Sequence, residues 1–466
     1  MDIKVNEINH TIFREYDIRG IINKTLKYSD AFLIGRAFAS KIFNSQGITV
    51  AVGRDGRLTS KMLSTHLIKG LNKSGANVID IGCGPTPMLY FAREFLNSDA
   101  AIMVTGSHNP PDHNGFKIMI GSNSFFGKKL LDLKKIILEG MFYNGKGKTT
   151  IKSVFEDYKK ALIEKSYEIK PFNVIWDCGN GSSGELITQL VKELPGQHKV
   201  IFGEIDGNFP NHHPDPTEPK NLESLIKEVK KTNSDLGIAF DGDGDRIGVV
   251  TKRGVIVPGD IVTAFLAGGI IKKNRRAPII LDIKSSDSAF DSIKKQSGNP
   301  IFWKTGHSLI KEKLKKSGSL LAGEMSGHIF IRDNWYGFDD APYSALRLLH
   351  ECGRRNYDLE KFYEETNISF SSPEIRIDCK EILKFKIVNK IKEKIKKINM
   401  YSIIDIDGIR AKNKHGWWLI RPSNTQSCII ARAEGKSKND LNVLIKEIEK
   451  FLKEENFYWN CKPYLI

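Results

Sequence analysis

The sequence predicts an α/β fold: three similar α/β domains with mixed sheets, then a smaller α+β domain at the carboxy terminus. Two observations lead there. At 466 residues, 40% of them hydrophobic, the chain is too long for one ordinary core and suggests roughly three or four domains. A unit made of an apolar-periodic helix, a glycine stop and a β-type run also recurs three times, as expected when each domain repeats one plan.

In the first unit Leu63, Leu67, Ile68 and Leu71 mark one helix face, which stops at Ser74-Gly75 and leads into Val78-Ile79-Asp80-Ile81. In the second, Leu186, Leu190 and Leu194 lead through Pro195-Gly196 to Val200-Ile201-Phe202. In the third, Leu309, Ile310 and Leu314 lead through Ser317-Gly318 to Leu320-Leu321. Boundaries are expected near residues 150, 254 and 367, giving domains 1–150, 151–254, 255–366 and 367–466. The last segment differs. Between Lys384 and Lys397, Ile387, Val388, Ile391 and Ile395 recur at helical spacing, so the lysines there read as the solvated face of an amphipathic helix. A strand-like Gly416-Trp417-Trp418-Leu419-Ile420 and a final helix from Leu441 to Leu452 follow.

Composition narrows the function classes. The net charge of +16 raises a nucleic-acid binder as a rival, but lysine is spread along the whole chain and no nucleic-acid motif accompanies it. Six scattered cysteines without a Cys-x-x-Cys pair point to free thiols in a reducing cytoplasm. The charged start Met1-Asp2-Ile3-Lys4 is unlike a signal peptide, and the longest apolar stretch, Ile261 to Ile271, is too short to span a bilayer. No membrane partner is expected.

The chemistry is concentrated in four loops. Ala100-Ala101-Ile102-Met103-Val104 runs into Thr105-Gly106-Ser107-His108-Asn109-Pro110, which places a hydroxyl at the end of a strand, with Gly106 freeing the backbone and His108 within reach. Asp241-Gly242-Asp243-Gly244-Asp245-Arg246 joins two β-type runs, so three carboxylates crowd one turn. Like charges that close call for a hard cation, Mg²⁺ or Ca²⁺. Arg246 and Lys252 stand where a calcium EF-hand needs Gly and Glu, which removes that reading. Glu324 and Ser326, flanked by Gly323 and Gly327, offer a carboxylate and a hydroxyl on one side of an extended stretch, as sugar hydroxyls require, and His307 and His328 add titratable donors. Arg421 with Ser423, Asn424 and Thr425 supplies guanidinium, hydroxyl and amide donors for a phosphate.

Together these loops resemble the α-D-phosphohexomutases. Phe13-Arg14-Glu15-Tyr16-Asp17-Ile18-Arg19-Gly20, Gly53-Arg54-Asp55-Gly56-Arg57, Gly84-Pro85-Thr86-Pro87, His113-Asn114-Gly115-Phe116-Lys117 and Lys304-Thr305-Gly306-His307-Ser308 follow that family's order, and the likeness spans nearly the whole chain. Met325 resembles the bifunctional phosphomannomutase/phosphoglucomutase branch, where the phosphoglucosamine branch usually has Gln. The chain departs from the pattern at Gln426-Ser427, where a proline usually closes the phosphate loop.

The resemblance implies a central active-site cleft lined by loops of four domains. It also implies a phosphate carried on Ser107, one Mg²⁺ held by Ser107, Asp241, Asp243 and Asp245, and hexose 1,6-bisphosphate as intermediate and priming activator. Lys117, Arg19 and His328 become the candidates for proton transfer and charge stabilisation, and Tyr16, Arg246, Lys284, His307, Glu324 and Ser326 contact the sugar phosphate. The expected partners are hexose phosphates, and the chain is expected to be cytoplasmic and a monomer or weak homodimer. A phosphoglucosamine mutase, a serine-dependent phosphatase and the nucleic-acid binder stay as alternatives.

Overall fold

The computed structural model describes residues 8–43, 47–355, 359–366, 369–424 and 426–466. Its first sheet holds β1 (Ile18–Ile21), β2 (Thr49–Arg54), β3 (Asn77–Cys83), β4 (Ala100–Val104), β5 (His113–Ile120), β6 (Asn123–Ser124) and β7 (Thr149–Ile151), in the order β1-β5-β4-β2-β3-β7, with β6 paired to β5. Helices α1 (Tyr28–Ile42), α2 (Ser60–Lys73), α3 (Thr86–Phe95) and α4 (Lys128–Glu139) accompany it. The strands read as continuous apolar runs because both faces are covered. In β4, Ala100, Ile102 and Val104 pack in one cluster with Leu63 and Leu67 of α2, while Ala101 and Met103 pack in another with Met88 and Leu89 of α3.

The second sheet runs β12-β11-β10-β8-β9, from β8 (Phe172–Asp177), β9 (Gly196–Ile201), β10 (Leu236–Phe240), β11 (Ile247–Thr251) and β12 (Ile256–Val257). Its helices are α5 (Phe155–Lys165), α6 (Gly184–Leu190) and α7 (Glu223–Thr232). The third runs β14-β13-β15-β16, from β13 (Pro278–Asp282), β14 (Asn299–Trp303), β15 (Leu321–Gly323) and β16 (Ile329–Ile331), with α8 (Gly259–Lys273), α9 (Asp287–Lys295), α10 (His307–Ser317), α11 (Ala341–Arg355) and α12 (Leu359–Thr366). Helix α8 is buried on nearly every side, which is why its sequence is apolar all round instead of striped.

These sheets share one plan. Strands β2, β3 and β4 are parallel and β5 turns back against β4; β8, β9, β10 and β11 repeat this, as do β13, β14, β15 and β16. The three sequence units therefore belong to a real repeat, but the third is one step out of phase. Helices α2 and α6 link the first two parallel strands of their sheets, whereas Leu309, Ile310 and Leu314 lie on α10, which links the second and third parallel strands. The true counterpart is α9, stopping at Ser297-Gly298 before β14.

The fourth sheet is antiparallel throughout: β17 (Phe370–Ser371), β22 (Cys428–Gly435), β21 (Gly416–Pro422), β20 (Ile409–Asn413) and β19 (Ser402–Ile404), with β18 (Ile375–Asp378) also against β22. Trp418 and Ile420 pack under α13 (Glu381–Ile395) and α14 (Lys438–Glu454), while Trp417 and Leu419 face Ile283 after β13. One hydrophobic cluster runs unbroken from α3 through the second and third sheets, but the fourth unit has a core of its own. Among the described residues no helix is long and apolar enough to cross a membrane, and Cys83, Cys178, Cys379, Cys428 and Cys461 are free thiols.

Candidate active site

The shared plan decides where the chemistry sits. In each repeat the turn from the third parallel strand into its antiparallel partner carries one of the predicted loops: Ser107 between β4 and β5, Asp241 to Arg246 between β10 and β11, Glu324 to His328 between β15 and β16. Such turns lie at the carboxy ends of the parallel strands, where open α/β sheets present ligand sites. The fourth loop is the β21–β22 hairpin, with Ser423 and Asn424; Thr425 lies outside the described residues.

The serine and aspartate loops touch. Ser107 is buried, with φ of 49° in the left-handed region, a conformation that costs a non-glycine residue and persists only where neighbours impose it. Its hydroxyl donates to Asp241 Oδ2 at 3.1 Å and lies 3.2 Å from His108 Nδ1. Burial, reinforced by Arg246 and Arg19, keeps the His108 pKa well below the usual imidazole range. Gly242 passes so close that a Cβ there would meet Ser107 O at 2.5 Å.

Asp241, Asp243 and Asp245 are wholly buried, with ligand atoms within 4.8 Å of one another. Burial first, then the two neighbouring carboxylates, push Asp241 well above the carboxylate range. Burial opposes ionisation at Lys117 too, but Asp243 and Asp245 hold its pKa well above the ordinary ammonium value. Lys117, on β5, donates to Asp243 Oδ2 at 2.7 Å and also to Asp245, while Thr86 Oγ1 donates to Asp243 Oδ2 at 2.5 Å. Asp243 Oδ1 and Asp245 Oδ1 have no hydrogen-bond partner. Two orphaned carboxylate oxygens on wholly buried side chains fit a metal ion, since leaving them unpaired is costly.

His328 faces Arg246 across the gap between the second and third sheets. Arg246 Nε donates to His328 Nε2 at 2.9 Å, and Ile247 N donates to Gly327 O at 3.0 Å. A guanidinium can only donate, so the hydrogen-bond network assigns the ring proton to Nδ1, which lies 3.2 Å from Asp339 Oδ2. Asp339 also accepts from Lys311 Nζ at 2.9 Å and lies 3.7 Å from His307 Nδ1. Burial and the Lys311 cation push the His307 pKa well below its usual range.

Glu324 and Ser326 are not on an extended stretch. Their loop is a turn, closed where Gly327 N donates to Glu324 O at 3.0 Å. It curls Ser326 Oγ back onto Glu324 Oε2 at 2.9 Å, and Glu324 Oε1 accepts Gly306 N at 2.9 Å. Tyr16 OH donates to Thr305 O at 3.0 Å and accepts from Asn424, joining the first, third and fourth units. Lys284 pairs with Glu374 at 2.7 Å. Arg421 spends Nε on Asp407 at 3.0 Å, which aims the rest of its fork. Arg19 reaches Asn109 Oδ1 at 3.2 Å and Asp17 at 2.6 Å.

A single cavity of about 900 Å³ is lined by Tyr16, Arg19, Ser107, Lys117, Arg246, Lys284, His307, Glu324, Ser326, His328, Arg421, Ser423 and Asn424. The predicted residues described here therefore converge, with the three aspartates beneath Ser107. Sequence reading missed Asp339, Lys311, Lys384, Asp407 and Glu374, which act on site residues from within the protein. A buried charge two strands from its partner leaves no local pattern; only the Asp339-Asp340 doublet after Gly337-Phe338 hinted at one.

Comparison with known proteins agrees with this architecture. Residues 10–143, 154–254 and 258–368 match the phosphoglucomutase/phosphomannomutase alpha/beta/alpha domains I, II and III, and 374–451 match the C-terminal domain of that family. The chain is 42% identical over 431 residues, 92% of each protein, to a phosphomannomutase/phosphoglucomutase of Pseudomonas syringae pv. tomato. It is 39% identical over 449 residues to a phosphoglucomutase of Neisseria gonorrhoeae, covering 96% of both. The crystal structure of a phosphoglucomutase/phosphomannomutase family protein from Burkholderia thailandensis superposes with a TM-score of 0.89 at 39% identity, over 96% of this chain and 98% of the other. With four domains matched in order over most of its length, the chain belongs to the phosphoglucomutase/phosphomannomutase family.

Proposed function

We propose that this phosphohexomutase interconverts the 1- and 6-phosphates of mannose or glucose by way of a phosphate carried on Ser107. The observation that carries this reading is the pairing, in one cavity, of a buried serine hydroxyl 3.1 Å from Asp241 with an anion cradle of Arg421, Ser423 and Asn424 on a separate unit. A phosphatase has no need of the second feature. A mutase does, because the phosphate that is not reacting must be held while the other transfers.

In the forward half-reaction a sugar hydroxyl attacks the phosphorus on Ser107. The new P–O bond forms as the bond to Ser107 Oγ breaks, the hydroxyl proton passes to the protein, and a hexose 1,6-bisphosphate results. The bisphosphate turns end for end, Ser107 Oγ attacks its other phosphorus as that P–O bond to the sugar breaks, and the proton held by the protein passes to the freed sugar oxygen. Lys117, Arg19 and His328 are the candidates for taking the proton and stabilising charge, with Arg246 and Lys284 adding positive field. Asp241, Asp243, Asp245 and Ser107 are suited to Mg²⁺, which would neutralise charge on the transferring group. Tyr16, His307, Glu324, Ser326 and His328 meet the sugar phosphate, and Thr425 joins Arg421, Ser423 and Asn424 in the phosphate cradle. Hexose 1,6-bisphosphate would prime the serine. No nucleic acid or membrane enters this reading, which places a monomer or weak homodimer in the cytoplasm.

Replacing Ser107 with Ala should abolish turnover while leaving the thermal melt and hexose-phosphate binding nearly intact, and an intact mass of the wild-type chain should carry one added phosphate mapping to Ser107. Undiminished turnover in the variant would overturn the proposal. Comparing mannose, glucose and glucosamine 1-phosphates as substrates separates the branches of the family.

A further inference from the structure

Arg57 is 3% exposed and follows β2, behind the serine loop and not itself lining the cavity. Its guanidinium donates to four backbone carbonyls of the serine loop: Nη2 to Ser107 O at 2.7 Å and Asn109 O at 2.5 Å, Nη1 to Pro110 O at 2.6 Å and His113 O at 3.1 Å. Its Nε faces Asp55 Oδ2 at 3.3 Å. That carboxylate takes the opposite side of the loop, accepting Thr105 Oγ1 at 2.8 Å and Gly106 N at 3.1 Å. The approach depends on Gly106, where a Cβ would stand 2.5 Å from Arg57 Nε and 2.7 Å from His113 O. Phe209, from the second unit, lies 5.1 Å from the guanidinium on a ring face.

Four carbonyls converging on one cation need a planar fork with several donors; an ammonium, with three donors on one atom, cannot reach them all. The loop so held contains Ser107 in the left-handed conformation, which must be imposed by its surroundings. We propose that Arg57 is a positioning residue for Ser107, setting where the hydroxyl stands above the three aspartates, a role that rests on Ser107 being the phosphate carrier. Asp55 and Arg57 then act as a two-sided clamp, one on the loop's donors and the other on its acceptors.

The test uses the full-length enzyme with Arg57→Lys, Gly106→Ala and the double variant. In Arg57→Lys kcat should fall about 100-fold, the order expected of a displacement near 1 Å, with KM for glucose 1-phosphate little changed and amide exchange over residues 105–113 faster. Gly106→Ala keeps the arginine but crowds it, so it should reproduce the loss, and the double variant should fall no further than the worse single, since both break one clamp. Wild-type kcat in Arg57→Lys, a loss appearing in KM alone, or additive losses in the double variant would overturn the inference. If Arg57→Lys gives no cooperative melt, Gly106→Ala carries the test alone, and near wild-type kcat there overturns it. A wild-type chain with no phosphate on Ser107, but faster exchange over 105–113 in Arg57→Lys, would overturn the phosphate-carrier reading and uphold the clamp.

Discussion

Asp339 joins Lys311, His307 and His328 on one wholly buried carboxylate. Burial alone would raise its pKa, but Lys311 and the two imidazoles hold it well below the carboxylate range, so it stays charged. Its consequence is electrostatic: Nε2 of His328 accepts from Arg246, and Nδ1 stands 3.2 Å from Asp339 Oδ2, a close charge contact and not a hydrogen bond. Asp339→Asn keeps the volume but strands the Lys311 ammonium. A loss of about 3–5 kcal/mol in unfolding free energy is expected for breaking such a buried pair, readable in a urea titration. Asp339→Asn should also lower kcat, and adding Lys311→Met should recover the stability but not kcat, because His328 still lacks the carboxylate charge beside Nδ1. Recovery of both would mean that Asp339 acts only on stability.

At the scale of elements, α13 illustrates what helical periodicity conveys and what it conceals. Its apolar residues Ile387, Val388, Ile391 and Ile395 enter the fourth core as their spacing predicts, and several of its lysines are solvated and ion-paired, such as Lys390 with Glu455 and Lys394 with Glu454. Lys384 is the exception. It is buried and donates to Ser423 O at 2.6 Å and Gln426 O at 3.0 Å, so it ties down the β21–β22 loop from below. Replacing Lys384 with Met should raise KM for hexose 1-phosphate about tenfold, the equivalent of roughly 1.4 kcal/mol, with kcat less affected. An unchanged KM would show that the loop holds itself. The misphased third repeat belongs to the same scale: α9 and α10 both end in Ser-Gly stops before β-type runs, and only strand pairing distinguishes them.

For the whole molecule, the decisive feature is that three units share a continuous core and the fourth does not. The fourth is attached through Trp417 and Leu419 on Ile283, through Arg410 donating to Ile283 O at 2.6 Å and Ser285 O at 2.7 Å, and through the Lys284–Glu374 pair. Burial works against the Glu374 carboxylate, but Lys284 outweighs it and holds its pKa down to about 2. A depressed carboxylate stabilises above its unfolded pKa of 4.5 and loses that contribution as pH falls toward about 2. Over that window the attachment should weaken by at most about 3 kcal/mol. Tryptophan-fluorescence melts should show a steeper acid loss in the wild type than in Glu374→Gln; parallel curves would remove the latch from the account. The sequence by itself determined the repeated α/β build, the four loops and the residue types they carry, because strand ends, glycine turns and clustered charges are local patterns. Only the tertiary structure decided the phase of the third repeat and the turn that folds Ser326 onto Glu324. It alone revealed the buried charges at Arg57, Lys311, Asp339 and Lys384 that hold the site in place, since each acts through partners brought near by packing, and no spacing along the chain records them.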